Sequence, residues 1–223
     1  MQLDSALQDI VAEAVALADA ARQQDTLLRI TGSVAVALYA TAVAVTRPTP
    51  IKDIDLVCRK GERRKIQRLF ADRGYLIVEE LLLLSEDRET YVSPASYTVD
   101  VYYDAIDGSH TIDLSSRLEL SYPMVTWTDL LLSKLQRRTP RQIDVWDCWA
   151  LISTGIEKLE VMYYQRVLGR DWGLYCTVLD NLNMVRVSFP SVAAFIAQLQ
   201  SIAETAPRSL RWRLRGVLGR RTK

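Results

Sequence analysis

The sequence predicts an α+β fold: an N-terminal β-sheet flanked by helices, followed by a C-terminal helical module. Three observations carry this. Up to about residue 125, short β-rich apolar runs alternate with segments of helical periodicity. Beyond Pro123 the apolar residues recur only at helical spacing. The 223 residues are 49% hydrophobic and 25% charged, which suffices for a sizeable core and excludes wholesale disorder. The expected division is 1–125 and 126–223.

Each element has a local reason. Leu3, Leu7, Ile10, Ala14, Leu17 and Ala21 share one helix face. Leu27 to Ile30 reads as a strand, Thr31-Gly32-Ser33 as a tight turn, and the apolar run Val34–Val45 as a helix that Ser33 can cap. Arg47-Pro48-Thr49-Pro50 breaks that helix and favours extended chain. Lys52 to Val57 reads as a second strand, and Gly61 to Asp72 as a helix stopped by Gly74. Tyr75–Leu84 and Tyr91–Tyr103 hold further β-rich runs. Thr126 and Asp129 have capping-box spacing ahead of a leucine-rich helix. Thr139-Pro140-Arg141-Gln142 signals another helix start, with Gly155 at that helix's end.

Composition removes several function classes. Twenty-eight basic and 27 acidic residues leave a formal charge of +1, so the whole molecule has no strong pull toward nucleic acid or membrane. Three dispersed cysteines and the single His110 form neither a disulfide framework nor a zinc spacing. A reducing, cytoplasmic setting follows. The N-terminal stretch with Asp4, Asp9 and Glu13 does not read as a signal peptide, and the 12-residue run Val34–Val45 is too short to span a bilayer.

The chemistry centres on Asp53 and Asp55. Two positions apart on a strand, both carboxylates point to one face, while Ile54 and Leu56 point to the other. Such like charges repel, and a divalent cation between them removes the penalty; Mg²⁺ prefers carboxylate and phosphate oxygens. Asp100 is the only charge in the strand-like run Tyr97–Tyr103 and is a third candidate ligand, so that three acids could hold two metal ions. Gly32 and Ser33 open a helix, where free N–H groups and the helix dipole attract phosphate. Metal-held acids facing a phosphate site suit phosphoryl or nucleotidyl transfer.

Gly32-Ser33, Asp53-Ile54-Asp55-Leu56 and the later Asp100 together resemble the nucleotidyltransferase superfamily of the DNA polymerase β fold. The resemblance implies a mixed β-sheet, catalytic Mg²⁺ ions on Asp53, Asp55 and Asp100, and nucleoside triphosphate (NTP) phosphates on Gly32 and Ser33. It implies transfer of NMP to an acceptor hydroxyl on a protein, a tRNA or a small molecule. Arg47 with Lys52–Leu56, Leu131–Gln136 with Asp144 and Asp147, and Asp171–Leu174 resemble the branch holding AbiEii-type abortive-infection toxins and uncharacterised bacterial relatives. The alternative is a nucleotide-binding or toxin–antitoxin interaction module without catalysis.

Other residues read two ways. Lys134 is a phosphate contact or a lysine that snorkels from a leucine-rich helix. Arg47 contacts nucleotide or ties its loop to Asp53. Asp144 and Asp147 share a helix face and suit an ion network with Arg141 or Lys134 better than a second metal site. His110 reads as a loop or packing residue ahead of a general base. Arg59, Lys60, Arg63, Arg64, Lys65 and Arg68 read as a solvated face ahead of a triphosphate or nucleic-acid patch. The tail 208–223 holds seven basic residues and no acid, and suits RNA, an acidic partner, a membrane surface or a docked terminal helix. Trp146, Trp149 and Trp172 read as helical core.

Overall fold

The computed structural model describes residues 5–44, 46–82 and 87–207. Helix α1 (Ser5–Gln23) buries Ile10, Ala14, Leu17 and Ala21, the face its periodicity marks; Leu3 lies outside the described residues. The chain then forms β1 (Leu28–Thr31), α2 (Gly32–Tyr39) and the short α3 (Thr41–Ala44). The expected single helix from Val34 to Val45 is therefore broken. Ala40 leaves the helical region at φ −113°, ψ 41°, and the Thr41 hydroxyl donates to the carbonyls of Ala37 and Leu38. Thr31, not Ser33, sits at the N-cap of α2.

Strand β2 (Asp53–Cys58) leads to α4 (Arg63–Asp72), ended by Gly74 at φ +76°. β3 (Leu76–Ile77) is only two residues long and runs into a helical turn, α5 (Glu79–Leu82), within the expected β-rich segment. β4 (Arg88–Val92) and β5 (Thr98–Tyr103) complete a five-stranded sheet in the order β1-β2-β5-β4-β3. β2 and β5 run parallel and the other neighbours antiparallel, so the sheet is mixed. A small hairpin, β6 (Ala105–Asp107) and β7 (Thr111–Asp113), follows.

The rest of the described chain is helical: α6 (Trp127–Leu135), α7 (Gln142–Gly155), α8 (Val161–Arg170), α9 (Trp172–Ser188) and α10 (Ala193–Glu204). Thr126 caps α6 as its spacing predicts, accepting from the Asp129 N–H. α7 starts later than expected. Arg141 is its N-cap and closes a capping box with Asp144, and Pro140 precedes the helix. α2 packs on β1 and β2 on one side and on α6 and α7 on the other, so one apolar core runs through the described chain. Trp146 is buried, and Trp149 stacks on Phe189 at 4.9 Å. Trp172 departs from expectation: it is 37% exposed and stacks on Tyr175 at the start of α9. No helix among the described residues is long and apolar enough to cross a membrane. The basic tail 208–223 lies outside the described residues.

Candidate active site

The strand register fixes the acids. Asp55 on β2 lies beside Asp100 on β5 in the parallel pairing, and Thr31 and Thr90 extend the row on the outer strands. Neighbours in one row share a sheet face and stand about 4.8 Å apart along the sheet. Asp53, two residues before Asp55, points to that same face, whereas Ile54 and Leu56 are buried behind it. Asp53 is exposed; Asp55 and Asp100 are half-buried. Asp100 accepts a hydrogen bond from the Thr90 hydroxyl, and Arg88 Nη1 stands 4.0 Å from its other oxygen.

Gly32 is where β1 turns into α2 directly above Asp55. Its φ is +62°, and a Cβ there would lie 1.9 Å from Asp55 Oδ2. Glycine satisfies both the left-handed turn and the close approach of the carboxylate. Burial, then the neighbouring Asp53 charge, pushes the Asp55 carboxyl up to about 6, with Lys134 and Arg137 pulling the other way. Burial, followed by Asp55 and Asp100, raises the Tyr102 phenol as well, which keeps it a neutral hydroxyl over this face. Thr31 Oγ1, next in the row, is buried with no hydrogen-bond partner among the described residues.

The acids open into a cleft of about 430 Å³. Asp53, Asp55 and Asp100 line it with six basic side chains: Arg47, Lys52, Arg88, Lys134, Arg137 and Arg141. Two buried carboxylates of α7 hold four of these cations. Lys134 Nζ is 2.7 Å from Asp147 Oδ2 and Arg47 Nε is 3.4 Å from Asp147 Oδ1. Arg141 Nε is 3.0 Å and Arg137 Nε 3.7 Å from Asp144. Ser33 joins the first group: its hydroxyl accepts from Arg47 Nη2 at 3.0 Å and donates to Asp147 Oδ2 at 3.4 Å. Burial pushes the Asp144 carboxyl up, but the hydrogen bonds from Arg141 outweigh it and the net shift is downward. The arrangement is a cleft with carboxylates on the sheet side and a cationic wall on the helical side.

Ser33, Arg47, Asp53, Asp55, Asp100 and Lys134 thus come together in one cleft, with Gly32 packed against Asp55. Arg88, Arg137 and Tyr102 have no place in the site expected from the sequence; Lys52 enters there only within the Lys52–Leu56 motif, and Arg141 only as an ion partner for Asp144 or Asp147. Arg137 had a signal, since it lies three residues after Lys134 at the same helix end. Arg88 had none, because its approach to Asp100 depends on a strand register, with Arg88 opposite Tyr102 and Thr90 opposite Asp100, that its own strand does not reveal. Asp144 and Asp147 form the ion network that their spacing predicts.

Residues outside the cleft are accounted for by packing and pairing. His110 sits between β6 and β7 with its ring nitrogens 3.2 Å from Asp171 and 3.1 Å from Thr177, tying the hairpin to α9. In the basic run, Arg59 pairs with Glu119, Lys60 with Asp87, Arg63 with Glu89 and Lys65 with Glu62.

No family model and no curated protein matches the chain. Among solved structures it is similar to the solution structure of the antibiotic-resistance factor ANT(2'')-Ia, with a TM-score of 0.45 and 13% identity over 86% of this chain and 95% of that one.

Proposed function

We propose that the chain is a nucleotidyltransferase that moves NMP from a nucleoside triphosphate to an acceptor hydroxyl. The observation that supports this best is the pairing of Asp55 with Asp100, joined by Asp53, across a cleft from a cationic wall. Six cations line the cleft with three acids, and counting the buried Asp144 and Asp147 behind them the balance is still slightly positive, which suits a polyphosphate.

The acids suit a hard divalent cation. Burial and then the Asp53 charge raise the Asp55 carboxyl to about 6 against the pull of Lys134 and Arg137, so its ionised form is only partly compensated. Among the described residues no group of three or more acidic, thiol or imidazole side chains stands close enough to hold a metal ion by itself, so substrate phosphates would have to complete any shell on these acids. An open carboxylate rim is what Mg²⁺ uses when substrate phosphates complete its shell. In this reading Asp53, Asp55 and Asp100 would hold the two Mg²⁺ ions, whose charge would neutralise phosphate and favour the alkoxide form of the acceptor.

The protein's own groups do the rest. The first N–H groups of α2, beginning at Gly32, face the phosphates with the positive end of the helix. Lys134, Arg47, Arg137 and Arg141 neutralise charge that builds on the leaving pyrophosphate, and their buried carboxylate partners fix them beforehand. The acceptor oxygen bonds to the α-phosphorus as the bond to the β-phosphate oxygen breaks; Asp100 takes the hydroxyl proton. An assay with α-labelled nucleotides tests this: Asp53→Asn with Asp55→Asn abolishes NMP transfer while circular dichroism stays native. Full transfer by that double variant would overturn the assignment.

Two finer readings belong to the proposal. A binding module without catalysis is favoured by one fact: Ser33, Arg47 and Lys134 all spend hydrogen bonds on Asp147. Nucleotide binding with no pyrophosphate release over any acceptor would establish it. The toxin-like branch rests on Lys52–Leu56, Leu131–Gln136 and Asp171–Leu174. Growth arrest on expression that disappears with Asp53→Asn would support that branch, and arrest that persists would reject it.

A further inference from the structure

Behind the acid cleft lies a larger cavity of about 600 Å³ with a different chemistry. Its floor and sides are Val145, Trp146, Met184 and Phe189, and among the described residues none that lines it carries a charge. The floor is braced from below. Trp149 stacks on Phe189 at 4.9 Å and meets Trp146 edge-on at 5.6 Å. The volume falls within the roughly 300–1,000 Å³ of small-molecule sites.

The same two segments wall both spaces. Thr46 and Pro48 line the apolar cavity, whereas Arg47 and Thr49 line the acid cleft. At the start of α7, Pro140 and Gln142 line the first, and Arg141 and Ile143 the second. Arg47 pins this partition in place through Asp147 and Ser33. A molecule seated in this cavity is therefore separated from the acid cleft by one chain's thickness, with the carboxylates on the cleft's far, sheet side.

The lining selects its occupant. No carboxylate is present to pair with a polycation, so a polyamine would lose hydration without compensation. A nucleobase presents several donors and acceptors that need partners once desolvated. The polar side-chain groups of the lining are the Gln142 amide, the Ser188 hydroxyl, the Trp146 indole N–H and the Thr46 hydroxyl, whose proton already goes to the Val43 carbonyl, too few to match every donor and acceptor of a base. We propose that this cavity is the acceptor site, and that it takes an uncharged molecule with a flat aromatic or aliphatic ring body and a hydroxyl that reaches past the 46–50 segment to the acids. This rests on the nucleotidyltransferase reading of the cleft. The acceptor O–H gives its proton to Asp100, its oxygen bonds to the α-phosphorus, and pyrophosphate leaves.

The test uses the full chain and the uncharged fluorescent probe N-phenyl-1-naphthylamine. The wild type binds it saturably at one site. Ser188→Trp fills the cavity and Met184→Glu charges it, and both positions are exposed, so folding is retained. Each variant weakens the probe at least about tenfold, while affinity for Mg-ATP is unchanged. In turnover with α-labelled nucleotide, label passes to uncharged ring alcohols in preference to polyamines, and Ser188→Trp raises KM for the alcohol but not for the nucleotide. Unsaturable probe binding, probe binding that survives both variants, or an acceptor KM unmoved by Ser188→Trp overturns the acceptor site and leaves the acid cleft standing. Failure of the wild type to bind nucleotide sinks the cleft reading itself, and this inference falls with it.

Discussion

Gly32 ties the backbone to the chemistry in a single residue. Its positive φ turns β1 into α2, and its missing Cβ leaves the space that Asp55 occupies. Alanine there meets two penalties at once. A left-handed non-glycine conformation costs about 1–3 kcal/mol. The added methyl also collides with Asp55 from Oδ2 back to Cβ, so rotating the carboxylate alone does not relieve it. Gly32→Ala is expected to lose about 2 kcal/mol in urea titrations. It is also expected to reduce nucleotide turnover by more than that destabilisation explains, because Asp55 is displaced. A variant with lowered stability but wild-type turnover would show that the glycine serves the turn alone. The need for glycine at the turn was legible in the sequence from Thr31-Gly32-Ser33. That the carboxylate 23 positions later fills its empty side was not, since it depends on the Thr31–Asp55 register.

At the scale of elements, α7 organises the cationic wall. Asp144 and Asp147, three residues apart, point the same way, and each holds two cations of the cleft. Asp147 is 0% exposed, so removing its charge strands Lys134 and Arg47. Breaking a buried pair from one side costs about 3–5 kcal/mol. Asp147→Asn is expected to lose about 3 kcal/mol by urea titration and to raise KM for nucleotide more than it lowers kcat, since the freed cations no longer stand in place. Lys134→Met on the Asp147→Asn background should then cost less than in the wild type, and strict additivity would deny the coupling. The spacing of the two acids was readable from the chain. The pairing of Arg47 with Asp147 was not, because Arg47 lies 100 residues away and reaches α7 only through packing of the 46–50 segment. The break of α2 at Ala40 was hidden for a related reason. A run as uniformly apolar as Val34–Val45 has no periodicity from which an end could be read. The three-residue strands β6 and β7 are too short to leave any pattern.

Across the whole molecule the buried acids pull stability in opposite directions with pH. Burial raises Glu89, but hydrogen bonds from Tyr103, Tyr91, Arg63 and Gln67 outweigh it and hold its carboxyl below the usual value. A lowered folded-state pKa means stability that is present above the unfolded value of 4.5 and lost as pH falls through the folded one. Asp144 acts in the same sense. Asp55 acts in the opposite sense: its carboxyl moves from 3.8 to about 6, so the folded state binds the proton more tightly than the unfolded chain. Its contribution is greatest below 3.8, declines as pH rises to about 6, and is flat beyond. A shift of about two units corresponds to at most about 3 kcal/mol. The magnesium-free protein is therefore expected to unfold at lower urea at about pH 8 than at about pH 5, with Glu89 setting the decline on the acid side. Asp55→Asn removes the Asp55 share of the difference, since an amide does not titrate; Asp129, raised by burial, acts in the same sense and keeps its own share. Magnesium is expected to reduce it in the wild type at about pH 8, above the value of about 6 for Asp55, and to do little in the Asn variant. If the midpoint is flat between these pH values, or if magnesium shifts wild type and Asp55→Asn equally, the proposal that Asp55 helps to hold a cation in this cleft fails.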